Sequence, residues 1–171
     1  DTANGIVNRV EDTDDVISDI AVTDNLLQRI DNAGIALRRG STYRRTPFAR
    51  LTRVKVLRNR LYNIGMRDAG GIARGVDMLG PEVAEIAGNI IERTADQGIN
   101  VFAGRPPAGF HARSAPPAPL VRVQIHHNKV VEPLVHVQDF GGIEAWFTGS
   151  TYVYNNLVLN PVGHVPHRNR D

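Results

Sequence analysis

Residues 121–131 read VRVQIHHNKVV and carry the pattern that decides the fold. Apolar side chains alternate at Val121, Val123 and Ile125 ahead of Asn128, which is the period of a β-strand rather than of a helix. Four further segments match this frame when their asparagines are aligned: ISDIAVTDNLL (17–27), TRVKVLRNRLY (52–62), VAEIAGNII (83–91) and STYVYNNLVL (150–159). The sequence therefore repeats one strand-containing unit.

Four columns of residues agree across these segments. The shared asparagines are Asn25, Asn59, Asn89, Asn128 and Asn156. The other three columns lie at fixed positions relative to the asparagine and are mostly apolar. Five positions before it stand Ile20, Val54, Ala84, Val123 and Thr151, and three positions before it stand Val22, Val56, Ile86, Ile125 and Val153. Two positions after it stand Leu27, Leu61, Ile91, Val130 and Val158. The asparagines lie 28 to 39 residues apart, which is too irregular for ankyrin or tetratricopeptide arrays. Because stacked asparagines can hydrogen-bond to one another and to the backbone at a bend, we expect them to form a structural ladder.

After each of the first four asparagines the chain reaches a second short strand that begins with glycine: GIALRRG (34–40), GVDMLG (75–80), GINVFAG (98–104) and GIEAWFTG (142–149). Strand, bend, strand and loop, repeated with loops of variable length, predict an all-β solenoid of five to six coils stacked about 4.8 Å apart. We expect residues 1–171 to form one domain, with insertions at 41–50 and 104–119 that leave the same corner and wall a cleft.

The repeats resemble the right-handed parallel β-helix proteins of the pectate-lyase-like family, over nearly the whole chain. The stretch DFGGIEAWFTGSTYVYNNLVLNPVG (139–163) resembles a signature of large bacterial β-helix proteins related to glycoside hydrolases. The resemblance implies a secreted or periplasmic protein that acts on polysaccharide. The same fold also serves adhesins and phage tailspikes, so that it does not settle function.

Composition narrows the classes of function. The chain carries 20 Lys and Arg against 18 Asp and Glu, a formal charge of +2, and this small excess argues against a dedicated nucleic-acid-binding protein. No apolar run approaches the roughly 20 residues that cross a bilayer, so we expect no membrane partner. The absence of cysteine excludes disulfides and thiolate metal sites. Because the chain opens on Asp1 and shows no obvious cap, we expect a segment of a longer solenoid.

The glycine-led strands carry the candidate site. If the residue after each glycine packs inward, alternation turns the next residue outward. That outward column reads Ala36, Asp77, Asn100 and Glu144, and the column two positions later reads Arg38, Leu79, Phe102 and Trp146. Aromatic rings stack on the apolar faces of sugars while carboxylates and amides bind hydroxyl groups. We therefore predict a carbohydrate site whose substrate-binding side chains are Trp146, Phe102, Asn100, Arg38 and His136.

A second acidic set lies in the bends before these strands: Asp31, Asp68, Asp96 and Asp139. Aspartate is a favoured turn residue, and we expect structural roles for Asp31 and Asp68. The candidate catalytic carboxylates are Glu144 and Asp139 first, followed by Asp96 and Asp77. Asp77 and Glu144 flank the coil of Asn100 at a backbone distance of roughly 10 Å, a separation that slightly favours inverting hydrolysis.

Three functions remain open from the sequence. The leading one is glycoside hydrolysis by paired carboxylates, without a cofactor. The second is a polysaccharide lyase or epimerase in which Asp96, Asp139 and Glu144 hold calcium and Arg38 or Arg74 neutralises a substrate carboxylate. The third is a non-catalytic β-helix that binds glycan or serves as structure.

The histidines are expected to be ordinary, with one exception. His126 and His127 are adjacent, and in a strand adjacent side chains point to opposite faces, so we predict that they do not bind one metal. We therefore predict no metal site. His136 is placed to approach Asp139 across the bend as a proton carrier.

Overall fold

The structure is a computed structural model that describes residues 4–8, 16–38, 50–67, 73–102, 122–137, 140–146 and 150–163. Within these ranges the chain is all-β, and every strand pairing is parallel. In the same ranges no helix is long and apolar enough to cross a membrane. The predicted insertion 104–119, positions 41–49 of the other insertion, and both Asp68 and Asp139 lie outside the described residues.

Three five-stranded parallel sheets make up most of the structure. Sheet I contains β1 (Ile6–Val7), β5 (Ile35–Arg38), β9 (Val76–Leu79), β12 (Ile99–Phe102) and β15 (Ile143–Trp146). Sheet II contains β3 (Ala21–Thr23), β7 (Val54–Leu57), β10 (Val83–Ala87), β13 (Arg122–His126) and β16 (Ser150–Tyr154). Sheet III contains β4 (Leu26–Ile30), β8 (Arg60–Ile64), β11 (Ile90–Thr94), β14 (Lys129–Val131) and β17 (Leu157–Leu159). A two-stranded sheet joins β2 (Val16–Ser18) to β6 (Arg50–Thr52).

The chain visits sheets II, III and I in the same order in each repeat, and each strand pairs with its counterpart in the next repeat. This order of parallel strands is compatible with a β-helix. The registers confirm the columns read from the sequence, since Val56 pairs with Ile86 and Ile86 with Ile125. A one-residue slip would exchange the core and solvent faces of a strand, so the apolar columns fix the register.

The core lies between the three sheets and is made of these aligned apolar columns. Val56, Ile86 and Ile125 are completely buried, and each such side chain contributes roughly 1.5–3 kcal/mol of hydrophobic stabilisation. At the last repeat the same column continues with Val153, which is 52% exposed. The packing of the interior columns is therefore tight, while the edge formed by β15, β16 and β17 leaves apolar side chains accessible.

The predicted asparagine ladder is confirmed. The Oδ1 atom of Asn89 accepts hydrogen bonds from the backbone N–H and the Nδ2 group of Asn59, at 2.9 and 3.0 Å. The Nδ2 group of Asn89 donates to the carbonyl oxygen of Val56 and to Oδ1 of Asn128, both at 2.9 Å. Asn59, Asn89 and Asn128 are buried, so the ladder satisfies polar groups that water does not reach.

A single left-handed residue makes the bend that presents each ladder asparagine. The residues immediately before the asparagines all have a φ between 52° and 65°: Asp24, Arg58, Gly88, His127 and Asn155. This conformation is costly for most residues and tolerated best by glycine, asparagine and aspartate. The bend therefore turns the chain sharply from sheet II to sheet III with no intervening loop.

The glycines that open the strands of sheet I form a column of close backbone approaches. A Cβ atom built on Gly75 would lie 2.5 Å from the carbonyl oxygen of Gly98 and 2.7 Å from Cγ2 of Ile91. Neither contact can relax without moving backbone or core. Glycine is required here because the neighbouring repeats stack too closely for any side chain.

Candidate functional site

The register of sheet I confirms the two outward columns predicted from the sequence. Asp77, Asn100 and Glu144 pair in successive strands, with Ala36 beside Asp77 on the other side. Arg38, Leu79, Phe102 and Trp146 form the second column in the same way. Because parallel strands lie about 4.8 Å apart, each column places its polar groups within mutual reach.

The first column is buried in its middle strands. Asp77 is 4% exposed and Asn100 is 3% exposed, although both side chains point away from the apolar core cluster. Alternation predicted the side of the sheet correctly and gave no information about what covers it. The outer face of sheet I is therefore a covered polar layer in its middle strands, and Glu144 is half-buried.

Two arginines hold the buried carboxylate of Asp77. Arg38 donates from Nε at 2.8 Å and approaches the same oxygen with Nη2 at 2.6 Å, while Arg74 donates from Nη1 to the other oxygen at 2.7 Å. Asn100 adds a hydrogen bond from Nδ2 at 2.9 Å. Burial by itself raises the pKa of Asp77, but the charges of Arg74 and Arg38 outweigh it and the pKa lies below its ordinary value. Asp77 is thus a fixed anion.

Gln97 connects this ion pair to the next strand and was missed in the sequence. Its side chain is completely buried: Oε1 accepts from Nε of Arg74 at 2.6 Å, and Nε2 donates to Oε2 of Glu144 at 3.0 Å. A lone glutamine in a bend shows no pattern, because its partners lie 23 and 47 residues away in the chain. The polar side chains therefore form one connected row, defined here as the sheet I network: Arg38, Asp77, Arg74, Gln97 and Glu144.

Asp96 lies against the sheet I network, and its surroundings shift its pKa in the direction opposite to that of Asp77. Its Oδ1 accepts the backbone N–H of Gln97 at 2.9 Å, and its Oδ2 lies 3.5 Å from Nε of Arg74. Burial raises the pKa of Asp96 above its ordinary value, and the negative charges of Glu144 and Asp77 add to the rise while Arg74 opposes it. The surroundings of Asp96 therefore favour its protonated form, in contrast to those of Asp77.

Glu144 is the accessible end of the sheet I network. Its carboxylate accepts hydrogen bonds from the backbone N–H of Gly141 and from the indole Nε1 of Trp146, besides the one from Gln97. Trp146 is 42% exposed, and Phe140 at the start of the same segment is exposed to the same extent. A carboxylate and aromatic side chains thus meet solvent at one edge of sheet I.

The two other predicted substrate-binding residues, Phe102 and His136, lie outside the sheet I network. Phe102 is half-buried between Leu79 and Trp146 in its column. His136 is exposed in the segment after β14, where its backbone N–H donates to the carbonyl of Ala95 at 3.0 Å. Its predicted partner Asp139 lies outside the described residues.

Asp31 pairs with Arg67 through both carboxylate oxygens, at 2.7 and 2.8 Å. This bidentate pair joins one repeat to the next, because Asp31 follows β4 and Arg67 follows β8. The contact is of the structural kind expected for this turn aspartate.

The prediction that His126 and His127 point to opposite faces is wrong. Strand β13 ends at His126, and His127 is the left-handed bend residue, with a φ of 54°. The turn brings the two Nδ1 atoms to 2.8 Å from each other. The sequence did carry a signal for this turn. The residues aligned with His127 in the other repeats include Asp24, Gly88 and Asn155, which are all residue types that favour a left-handed conformation.

The described residues contain no group of three or more His, Asp or Glu side chains arranged to hold a metal ion. The calcium arrangement considered from the sequence required Asp139 beside Asp96 and Glu144, and Asp139 lies outside those residues. Chemically, the described part of the site offers a protonatable carboxyl, a solvent-facing carboxylate and an aromatic edge.

No protein-family model matches this sequence. Searches against curated proteins and against solved structures likewise return no match. The function therefore has to be inferred from the side chains of sheet I themselves.

Proposed function

We propose that the chain is a right-handed parallel β-helix of five to six coils that acts on polysaccharide as a glycoside hydrolase, at the outer face of sheet I. The cyclic order of parallel strands through sheets II, III and I supports the coil arrangement. Polysaccharides are too large to reach a cytoplasmic enzyme intact, so the proposal includes a secreted or periplasmic location.

The observation that carries the proposal is the contrast between Asp96 and Glu144. Burial raises the pKa of Asp96, whereas Glu144 is half-buried, reaches solvent and accepts hydrogen bonds from Gln97, Trp146 and Gly141. Two carboxyl groups whose environments differ in this way are suited to divide acid and base roles. Asp96 in this proposal protonates the leaving-group oxygen, and Glu144 acts as the base or nucleophile.

Aromatic side chains beside Glu144 supply the sugar contact. Trp146 and Phe140 are exposed, and the indole N–H of Trp146 is held by Glu144. This hydrogen bond fixes the ring relative to the carboxylate. A sugar ring stacked on Trp146 would thereby have its glycosidic oxygen presented to the carboxyl groups.

Asp77 takes a positioning role in this scheme. It neutralises Arg74 from one side, and Arg74 in turn holds Gln97, which donates to Glu144. The lyase alternative is weaker because Arg38 and Arg74, the two candidates for neutralising a substrate carboxylate, both already bind Asp77. Hydrolysis therefore fits the described contacts better than proton abstraction beside a uronate.

The test is an activity screen of the chain against plant and algal polysaccharides. Products are measured by a reducing-end assay and by the ultraviolet absorbance of unsaturated uronates. We expect new reducing ends without absorbance. Absorbance would establish a lyase instead, and no product from the folded chain on any glycan would overturn catalysis and leave binding or structure.

Variants then assign the roles. Glu144→Gln and Asp96→Asn are each expected to lower turnover by roughly 10²–10⁴-fold, the range for loss of one general acid or base. Glu92→Gln, a half-buried glutamate on sheet III, is the matched control and should keep wild-type turnover. Equal activity of Glu144→Gln and wild type would contradict the assignment, provided that both show the same circular dichroism.

A further inference from the structure

Within the described residues, sheets II and III each end in strands that are paired on one side only. At one end these strands are β3 and β4, named here the first edge, and at the other end they are β16 and β17, named the last edge. Strands β16 and β17 contain no charged residue and no proline, and neither does β3. Proteins that keep their sheet edges from pairing commonly place such residues there. The composition of these edges therefore permits pairing with a further strand.

The asparagine ladder runs in one direction and ends differently at the two edges. At every step the backbone N–H and the Nδ2 group of one asparagine donate to Oδ1 of the asparagine in the next repeat, at 2.9–3.1 Å. Among the described residues, Oδ1 of Asn25 accepts no hydrogen bond and the backbone N–H of Asn156 donates none. The first edge thus offers an acceptor, and the last edge offers the matching donor.

The apolar columns also stop at these edges with part of their surface accessible. Val153 pairs with Ile125 in sheet II and is 52% exposed, whereas Ile125 is completely buried. Val158 pairs with Val130 in sheet III and is 39% exposed, whereas Val130 is completely buried. At the first edge Leu27 packs against the core and is only half-buried. Both edges therefore present apolar side chains of the kind that stacking buries in the interior repeats.

From these observations we propose that the protein associates with a second copy of itself head to tail, with the last edge of one molecule stacked on the first edge of the next. Aligning Asn156 with Asn25 of the second copy brings the donor to the acceptor and continues the ladder. The same register sets Val153 beside Val22 of the second copy, so the apolar column also continues. Two last edges that faced each other would instead bring two donors together.

The proposed contact is heterologous, because it joins two different edges. Every molecule in such an assembly keeps one edge of the other kind for a further copy, so the contact extends into a chain of molecules rather than closing at a dimer. The strands of two molecules would lie about 4.8 Å apart, as parallel neighbours do in a sheet. The inference does not depend on the proposed hydrolase, since Asp96 and Glu144 belong to neither edge.

The experiment measures sedimentation velocity of the full chain over a wide range of concentration. We expect the average sedimentation coefficient to rise with concentration beyond the value of a dimer. Val153→Lys changes a side chain that is already accessible and should weaken association roughly tenfold or more, because the contact would bury an ammonium group without a partner. Val83→Lys is the matched control: Val83 is 41% exposed on the interior strand β10, and this variant should associate as wild type does.

A second variant blocks the first edge through the backbone. The carbonyl oxygen of Ile20 accepts from the backbone N–H of Lys55 in the neighbouring strand β7, at 2.8 Å. Because the C=O and N–H of a trans peptide point in opposite directions, the N–H of Ala21 points to the open side of β3. Ala21→Pro removes this donor at the first residue of an edge strand and leaves the bond to Lys55 in place.

Mixing the two blocked variants tests the direction of the contact. Val153→Lys and Ala21→Pro should each be monomeric alone, and their equimolar mixture should form a dimer that does not grow, because one last edge and one first edge remain open. A wild type that stays monomeric at every concentration would overturn the proposal and leave the edges to a different partner. Self-association of folded Ala21→Pro would also overturn it, because like edges would then be pairing. If Ala21→Pro does not fold by circular dichroism, equal association of Val153→Lys and Val83→Lys is the result that overturns it.

Discussion

Replacing Asn89 by alanine tests the ladder that joins the repeats. The change removes four side-chain hydrogen bonds: two accepted from Asn59 and one donated to each of Val56 and Asn128. The backbone N–H of Asn59 and the carbonyl of Val56 lose these partners in a place that water does not reach, since Asn59 and Val56 are completely buried. Each buried group left unsatisfied costs about 1–3 kcal/mol, which gives about 2–6 kcal/mol for the pair.

The assay is thermal and urea unfolding followed by circular dichroism. For a domain of this size each kcal/mol lowers the Tm by about 2–4 °C, so Asn89→Ala should lower it by roughly 10 °C. The same substitution at Asn25, the half-buried end of the ladder, leaves groups that water can reach and should cost about 1 kcal/mol or less. Equal losses at Asn89 and Asn25, or an unchanged Tm for Asn89→Ala, would refute the account of the ladder.

Two further predictions concern sheet I. Asp77→Asn should destabilise the fold by about 3 kcal/mol, because it leaves two arginine side chains without their buried anion. The folded pKa of Asp77 is lowered, so its ionised carboxylate stabilises the fold above its unfolded pKa, and this stability is lost as the pH falls below about 4. Unfolding curves measured between pH 2 and pH 7 should show this loss of stability in wild type and less of it in Asp77→Asn. Gly75→Ala should lower the Tm or the soluble yield sharply, because its Cβ would lie 2.5 Å from the carbonyl of Gly98. Gly88→Asn, at a bend where a Cβ meets nothing closer than 3.4 Å, should be nearly neutral, and an equal loss in both glycine variants would contradict the packing argument.

The sequence predicted those features of the fold that depend on repetition. Aligned Asn89 and Asn128 gave the ladder, and aligned Ile86 and Ile125 gave the register of sheet II, because stacked repeats place equivalent residues beside one another. The outward columns of sheet I followed from alternation alone. These inferences needed only the local period and the alignment.

What the sequence did not predict depends on contacts between residues of different columns. Burial of Asp77 was missed because alternation specifies the side of a sheet and not what covers it. Gln97 was missed because its two partners come from different repeats. The approach of His126 to His127 was missed because a strand period was extended one residue beyond the end of β13.

The central claim is that glycan binds beside Glu144, and Trp146 allows it to be tested directly. Trp146 is the single tryptophan of the chain, and its indole N–H is held by Glu144. Its fluorescence should therefore change in a saturable way as an oligosaccharide is added, with half-saturation at the concentration that half-saturates turnover. An oligosaccharide that the chain binds or cleaves with no change in the emission of Trp146 would contradict the claim.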